Sequence, residues 1–333
     1  MFRTRDVASC RAGWVLRWRA ACWLCAPMTA PRRIVPETTW MLNRRCTQRQ
    51  FLMRPDEEMN NAFLYCLIEA ATKFDIVLIL PQMMSNHEHV EYYDPFGNGP
   101  AFYHRFHTHL AKCVNALRGR WENMFSSEEP CLVELVEVRD LVDKLVYIAT
   151  NPVKDGLVER IAHWPGPKTV QALLTDRPLK ATRPRFLFRD DGPMPERVEI
   201  VLRIPPELGD HDEIVGQLRD GIAKVEADCA RERMETGRRV VGRRGILRQS
   251  WRDSPTSREP RRNLRPRVAA RSTWARVASL QRNREFLERY HAANALRREG
   301  KPAVFPLGTY WLRVYEHVPT EPFVSWRTPP IGA

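Results

Sequence analysis

Two extended segments lie between two helical patterns, and this arrangement constrains the fold more than any other feature of the chain. Ile76–Leu80 (IVLIL) is a β-branched apolar run typical of a buried strand, and Asn86–Tyr93 (NHEHVEYY) is a second extended run. Asp56 can cap a helix before them, because acids and then apolar residues at helical spacing follow it. Phe102–Leu117 predicts a helix after them, ended by Gly119.

Further elements on both sides complete a β-α-β-β-α-β-α order, which indicates an α+β fold class. Thr38–Arg45 (TTWMLNRR) has strand character, and Leu132–Val138 is a candidate fourth strand. Asp140–Thr150 predicts a helix that Asn151-Pro152 stops. The unit ends near Trp164-Pro165-Gly166-Pro167, whose composition is typical of a linker.

The sequence predicts three regions: 1–27, 28–165 and 166–333. Arginines interrupt the apolar run of residues 1–27, which excludes a signal peptide or a membrane helix there. We expect this region to be a non-native or disordered extension, with Met28 as the true start. Residues 166–333 predict a strand at Val198–Ile204 and helices over about 212–234 and 272–298.

Eight scattered cysteines do not form a disulfide framework, and the Cys22/Cys25 CxxC pair lacks the second pair that a zinc ribbon needs. A reduced, cytoplasmic location is therefore expected. Hydrophobic residues make up 43% of the chain and charged residues 28%, which excludes a wholly disordered protein.

Two histidines stand two residues apart in the second extended run. Side chains at this spacing on a strand share a face, so His87 and His89 could bind one divalent metal while Glu88 points to the other face. The alternative is a pair of polar residues on an exposed strand. His107 and His109 repeat the spacing within a predicted helix, where they diverge and cannot share a metal, so we expect them at a solvated or DNA-facing surface.

Tyr147 and Asn151 are four apart near the end of the predicted Asp140–Thr150 helix, so they share a face. A phenol becomes a useful nucleophile against a phosphodiester when a metal stabilises the developing charge, and an Asn oxygen could help to hold that metal. The alternative is that Tyr147 packs in the core and that Asn151 only ends the helix before Pro152.

Together these motifs resemble the single-tyrosine HUH transposases, in the branch associated with repetitive extragenic palindromes (REP). That family carries a strand motif like PNHxH and a later YIxxNPVxxGLV, which match Pro81–His89 and Tyr147–Val158. The resemblance spans residues 30–165. Shorter matching pieces are Pro31–Val35, Asn43-Arg44, Gln48–Phe51 and Trp164-Pro165. Glu88 departs from the family, which usually has a bulky apolar residue between the histidines.

The resemblance implies a ferredoxin-like HUH domain, an antiparallel sheet with helices on one face and the HUH strand in its centre. It also implies Tyr147 as the nucleophile, with His87, His89 and Asn151 as ligands of Mg²⁺ or Mn²⁺. The family nicks and rejoins single-stranded DNA beside a hairpin through a 5′-phosphotyrosine link. The implied partner is therefore single-stranded or hairpin DNA. We expect no membrane association and a monomer or homodimer.

The net charge of +13 has its source in one segment of the second half. Residues 231–284 contain 17 arginines and four acids, interleaved with tryptophans and prolines. Arginine with aromatic residues suits phosphate contacts and base stacking, so a basic, mostly helical C-terminal region is predicted to bind DNA. The alternative is a basic linker with no fixed partner. The candidate contact residues are Arg243, Arg244, Arg261, Arg262 and Trp251.

The leading hypothesis is an enzyme, a metal-dependent endonuclease and transposase that acts on single-stranded DNA. A second hypothesis is a catalytically inactive DNA-binding relative, prompted by Glu88. A third is a metal-dependent hydrolase that uses His87 and His89 on RNA without a tyrosine link.

Overall fold

The computed structural model describes residues 30–257 and 266–325. Residues 30–32 fall in a separate N-terminal unit and contain no helix or strand, whereas the other described residues belong to a unit that begins at Arg33. Within the described ranges, no helix combines the length and the apolar character that crossing a membrane requires.

The first part of this unit alternates strands and helices in the predicted β-α-β-β-α-β-α order. The elements are β1 (Thr38–Arg45), α1 (Glu57–Lys73), β2 (Val77–Met83), β3 (His87–Asp94), α2 (Gly99–Arg118), β4 (Cys131–Leu135) and α3 (Val138–Lys154). The second part adds shorter pieces around two long helices. These are α4 (Thr169–Leu174), β5 (Leu179–Thr182), β6 (Arg197–Ile200), α5 (His211–Thr236), α6 (Gly242–Arg248), β7 (Val268–Ala269), α7 (Thr273–Arg298) and α8 (Trp311–Glu316).

The α+β class follows from a five-stranded, mostly antiparallel sheet with the order β2-β3-β1-β4-β7. β3 lies inside the sheet, where it pairs antiparallel with β1 and with β2. The register sets His89 opposite Asn43 on one side and opposite Gln82 on the other, so these three side chains share a face. β7 pairs in parallel with β4, so residues beyond 165 contribute the last strand.

The structure corrects two element boundaries at prolines. β2 continues through Pro81 to Met83, although the apolar run that predicts this strand ends at Leu80. β2 is an edge strand, where a residue without an N–H loses no ladder hydrogen bond. α3 continues through Pro152 to Lys154, although a stop at Asn151 was expected, and the chain leaves the helix at Gly156 with φ of +66°.

Helices cover both faces of the sheet, so the expectation of helices on one face is wrong. Alternate residues of β3 point to opposite faces, and each face meets a different helix. Glu88 contacts His107 of α2, whereas His89 contacts Asn151 of α3. α1 packs against α2 on the first of these faces, with an edge-to-face contact between Phe63 and Phe106. α3 packs on the HUH face, where Thr169 of α4 also contacts Gln82.

The second half of the chain packs on the same core as the first. Leu202, Ile204 and Leu218 belong to the hydrophobic cluster that contains the sheet residues. α5 lies close against α3, because a Cβ on Gly221 would overlap Cγ2 of Val146. The division of the chain after residue 165 stays a prediction.

Candidate functional site

The two histidines of β3 lie side by side on the face that α3 covers. Their ring centroids are 4.9 Å apart and the rings are nearly perpendicular. His89 is buried, with 2% of its surface exposed, and His87 is half-buried. Because the strand spacing places both imidazoles on one face, their Nε2 atoms point to a common position between β3 and α3.

Asn151 reaches that position from the last turn of α3. Its amide nitrogen lies 3.0 Å from Nε2 of His89 and 3.4 Å from Nε2 of His87. A half-turn of the amide exchanges Oδ1 and Nδ2, which would bring a carbonyl oxygen to the same point. Two imidazole nitrogens and one amide oxygen then converge from two separate elements.

This donor set fits a divalent cation of the Mg²⁺ or Mn²⁺ type. Neighbouring ligand atoms around an ion with bonds of about 2.1 Å are separated by about 3 Å, which is the separation of the Asn151 amide from both imidazoles. Within the described residues, no cluster of three or more His, Cys, Asp or Glu side chains has metal-binding geometry. A metal at the histidine pair would therefore depend on Asn151 as its third protein ligand.

Two further asparagines lie within hydrogen-bond distance of the Nδ1 atoms of the two histidine rings. His87 Nδ1 lies 2.7 Å from Oδ1 of Asn86, so Nδ1–H donates and the Nε2 lone pair faces Asn151. His89 Nδ1 lies 3.0 Å from the amide of Asn43 on β1. When the Asn43 amide is oriented with its oxygen toward His89, that oxygen accepts from Nδ1–H. Nε2 of His89 then presents its lone pair, as Nε2 of His87 does. Asn86 and Asn43 thus orient the rings in the way that outer groups orient metal ligands.

His89 is electrically neutral at ordinary pH, because its pKa is well below the usual value for histidine. Burial is the main cause, since the interior disfavours the charged imidazolium. Electrostatic interactions with His87, Arg45 and Lys144 lower the pKa further. A neutral imidazole is the form that binds a metal ion.

Tyr147 stands on α3 one turn before Asn151 and contacts the same histidine. Its ring lies edge-to-face against His89 with a centroid distance of 5.5 Å. The side chain is 41% exposed, so the phenol is accessible to a large substrate. The ammonium groups of Lys144 and Lys154 lie 5.7 and 5.6 Å from the centre of the ring. The structure thus brings Tyr147 together with His87, His89 and Asn151, while their roles stay predictions.

Glu88 does not enter this site. It points to the opposite face of the sheet and is fully buried, 2.9 Å from Nε2 of His107. Burial raises the pKa of Glu88 and lowers that of His107, so the pair is a carboxylic acid that donates to a neutral imidazole. His107 is 2% exposed, and the expectation that it lies on a solvated surface is wrong, because it is the partner that Glu88 requires.

Glu91 shares the face of His87 and His89 and is fully buried. Neither of its carboxyl oxygens accepts a hydrogen bond from a described residue. Burial raises its pKa well above the usual range, although the charge of Lys144 acts in the opposite direction. The carboxyl group is therefore held in its protonated form at pH values where an exposed Glu is ionised.

Glu91→Gln is expected to stabilise the metal-free protein increasingly as the pH rises above the usual pKa of a glutamate and through the raised pKa of Glu91. Glu91 has a higher pKa in the folded than in the unfolded protein, so its protonation favours the folded state of the wild type. This contribution is complete below the unfolded-state pKa and is lost as the pH rises through the folded-state pKa. Glutamine keeps the shape of the neutral acid at every pH. Thermal denaturation in EDTA measures the difference, with the exposed Glu207→Gln as control. Parallel Tm–pH profiles for wild type and Glu91→Gln would contradict the assignment.

A basic segment, residues 241–257, runs beside the end of the sheet where His87 lies. It contains four arginines and one acid. At one end, the backbone N–H groups of Val241 and Gly242 donate to Gly156 and Leu157, just after α3. At the other end, the Phe51 N–H donates to the carbonyl of Asp253. The segment therefore spans from the end of α3 to the loop after β1.

The structure places three of the five predicted DNA contacts in this segment, and Arg261 and Arg262 lie outside the described residues. Arg243 and Arg244 are exposed on α6, whose Ile246 is buried against Trp164. Trp251 is half-buried, with the guanidinium of Arg252 4.3 Å from the centre of its ring. These positions are separate from the histidine pair, and their role in binding DNA stays a prediction.

Sequence reasoning did not identify Asn86, Asn43, Glu91 or the two lysines as site residues. Part of the signal was present, because Lys144, Tyr147, Asn151 and Lys154 follow the 3-4-3 spacing of one helix face. Glu91 likewise continues the alternation of the two histidines. The role of Asn43 could not be found in this way, because it depends on the register between β1 and β3.

Comparisons with known proteins give a partial similarity to a solved structure. No family model and no curated protein sequence matches it. A structure of a REP-associated tyrosine transposase bound to a REP hairpin is similar, with 17% sequence identity and a TM-score of 0.36. The similarity covers 42% of this chain and 81% of that chain.

Proposed function

We propose that this protein is a metal-dependent, transposase-like endonuclease that nicks and rejoins single-stranded DNA beside a hairpin. The observation that carries the proposal is the convergence of both histidine Nε2 atoms on Asn151, with the exposed Tyr147 one turn away and against His89. The site combines a place for a cation, a nucleophile and a positively charged rim. These are the requirements for phosphodiester transfer to a side chain.

The covalent step would transfer a phosphodiester to the side chain of Tyr147. The phenol oxygen attacks phosphorus and loses its proton to solvent, the bond to O3′ breaks, and O3′ leaves and is protonated. The products are a 5′-phosphotyrosine and a free 3′-OH, and attack by a 3′-OH reverses the step and restores the phenol. A bound Mg²⁺ or Mn²⁺ would supply Lewis-acid stabilisation of the phosphate charge.

In this proposal His87, His89 and Asn151 hold the ion, and Asn86 and Asn43 fix the ring orientations. The β-α-β-β-α-β order with the strand order β2-β3-β1-β4 supports assignment of the core to the ferredoxin-like class. Glu88 gives no reason to propose a loss of activity, because it is paired with His107 on the other face of the sheet and does not enter the site.

The test is incubation of the full chain with labelled single-stranded hairpin DNA and Mn²⁺, followed by a denaturing gel. The expected result is a covalent DNA–protein species that appears only with the metal. Binding without such a species would favour the DNA-binding relative that does not cleave. Turnover of RNA without a covalent link would favour a hydrolase at the same histidines.

The basic segment is proposed to hold the DNA backbone beside this site. Replacing both Arg243 and Arg244 with Ala is expected to weaken hairpin binding and to reduce the slope of log Kd against log salt by about 1.4, because each lost phosphate contact contributes about 0.7. Fluorescence anisotropy across a salt series measures the slope. The matched control removes two exposed arginines elsewhere, Arg185 and Arg197. An equal loss of slope in both double variants would contradict a specific role for the segment.

A further inference from the structure

One face of α3 carries the nucleophile between two lysines. Lys144, Tyr147, Asn151 and Lys154 follow one another at three, four and three residues, so they form a stripe along the helix. Asn151 contacts both histidines, and the lysine ammonium groups approach the ring of Tyr147 from its N-terminal and C-terminal sides. The stripe therefore places one cation on each side of the phenol that is proposed to attack phosphorus.

The ammonium groups of the two lysines, Lys144 and Lys154, are not held in ion pairs by described residues, which span 30–257 and 266–325. Two ammonium groups over one ring repel each other, and an anion between them would relieve the repulsion. The cation–π contacts with Tyr147 hold them near the phenol but cannot neutralise their charge. The arrangement is complementary to an anion beside the phenol.

We propose that Lys144 and Lys154 form a phosphate cradle that binds the non-bridging oxygens of the phosphodiester attacked by Tyr147. This inference rests on the proposed function and adds two residues to its machinery. The attacked phosphorus group carries one negative charge in the DNA and more on its equatorial oxygens as the phenol oxygen adds. Cations that are already in position stabilise the transition state most where negative charge develops during the reaction.

The cradle has a different task from the metal and from the basic segment. Lys144 and Lys154 belong to α3, a rigid helix that also carries the nucleophile, so their distance from the phenol is fixed by the fold. The arginines of the basic segment lie on α6 and the chain after it. Loss of a cradle lysine should therefore lower the rate of the chemical step more than the affinity for DNA.

The first arm of the test compares rates and affinities in the full chain with Mn²⁺. Lys144→Met and Lys154→Met are each expected to slow single-turnover formation of the covalent species by about 10- to 100-fold, and the double variant by about 100- to 1,000-fold. The Kd for hairpin DNA should change less than about 5-fold. Lys144→Arg and Lys154→Arg should recover part of the rate, and Lys112→Met, exposed on α2, serves as the control.

The second arm does not require cleavage. Inorganic phosphate is titrated into metal-free protein labelled with ¹³C at the tyrosine rings, and the Tyr147 signal, one of eight, is assigned with Tyr147→Phe. A saturable shift of that signal in the wild type, absent from Lys144→Met/Lys154→Met and absent when chloride is added at equal ionic strength, supports the cradle.

The outcomes separate this inference from the proposed function. A phosphate-dependent shift without a covalent species would leave the cradle in place and overturn the endonuclease. A covalent species with no phosphate-dependent shift, or with unchanged rates in the double Met variant, would overturn the cradle and leave the endonuclease. A rate loss that Arg does not recover, accompanied by a lowered Tm, would assign the lysines a purely structural role.

Discussion

Tyr147→Phe is expected to abolish the covalent DNA–protein species, with a rate loss of at least about 10⁴-fold, the scale seen when a nucleophile is removed. The substitution deletes one oxygen atom and keeps the ring that lies against His89. No other described tyrosine contacts the histidine pair through its ring. Single-turnover assays with labelled hairpin DNA and Mn²⁺ measure the loss.

The same variant should retain its fold and its affinity for DNA. Tyr147 is 41% exposed and the ring is kept, so loss of the hydroxyl group should change the Tm by little. Tyr315→Phe, also exposed, is the matched control and should react at the wild-type rate. A Tyr147→Phe protein that still forms the covalent species would show that another side chain attacks the phosphate.

Local patterns were sufficient for most of the fold. β1 begins and ends at the predicted residues, Asp56 caps α1 through the N–H of Met59, and Gly119 ends α2 with φ of +61°. These features depend on residues that are close together in the sequence, so they could be predicted from it. The continuation of β2 through Pro81 does not, because it depends on the position of that strand at the edge of the sheet.

The two faces of the sheet show where local patterns fail. His107 was expected at the surface because residues two apart on a helix diverge, so that His107 and His109 cannot share a metal. Its burial is decided by Glu88, which lies in a different element and needs a partner inside the core. The expectation of helices on one face fails for the same reason, since sequence order does not state on which face α3 packs.

The histidine pair could be predicted as a metal site because strand alternation alone brings two imidazoles together. The position of Asn151, the third proposed ligand, does not follow from strand alternation, because only the crossing of α3 over β3 brings its amide within 3.4 Å of both rings. The orientation of each ring depends further on Asn86, which is adjacent in sequence, and on Asn43, which is adjacent only through strand pairing. Prediction from the sequence therefore becomes less complete as the contacts join residues that are farther apart along the chain.

His89→Ala is expected to weaken Mn²⁺ binding by more than about 100-fold. Loss of a group that only orients a ligand costs about 10- to 100-fold in affinity, and loss of the ligand itself should cost more. Two donors would remain, His87 and Asn151, on different elements. Isothermal titration calorimetry measures the affinity, and His291→Ala, exposed on α7, is the control.

A second readout for the metal ligands uses the stability of the fold. An ion that binds only the folded protein raises its stability by about 2.7 kcal/mol at a concentration of 100 Kd, so Mn²⁺ should raise the Tm of the wild type and of His291→Ala. The Tm of His89→Ala should not respond. Because His89 is buried, its removal lowers the starting Tm as well, but only loss of the Mn²⁺-dependent increase reports on ligation.

The protonation state of His89 gives this prediction a pH dependence. Its pKa lies well below the usual value, mainly because of burial, so protons compete with the metal less at this ring than at an ordinary histidine as the pH falls. Mn²⁺ binding should therefore displace few protons from His89 at pH 7. Calorimetry in buffers of different ionisation enthalpy measures the number of protons released. An equal Mn²⁺ affinity in His89→Ala and His291→Ala would contradict the metal site, because no other pair of described histidines shares this geometry with an amide.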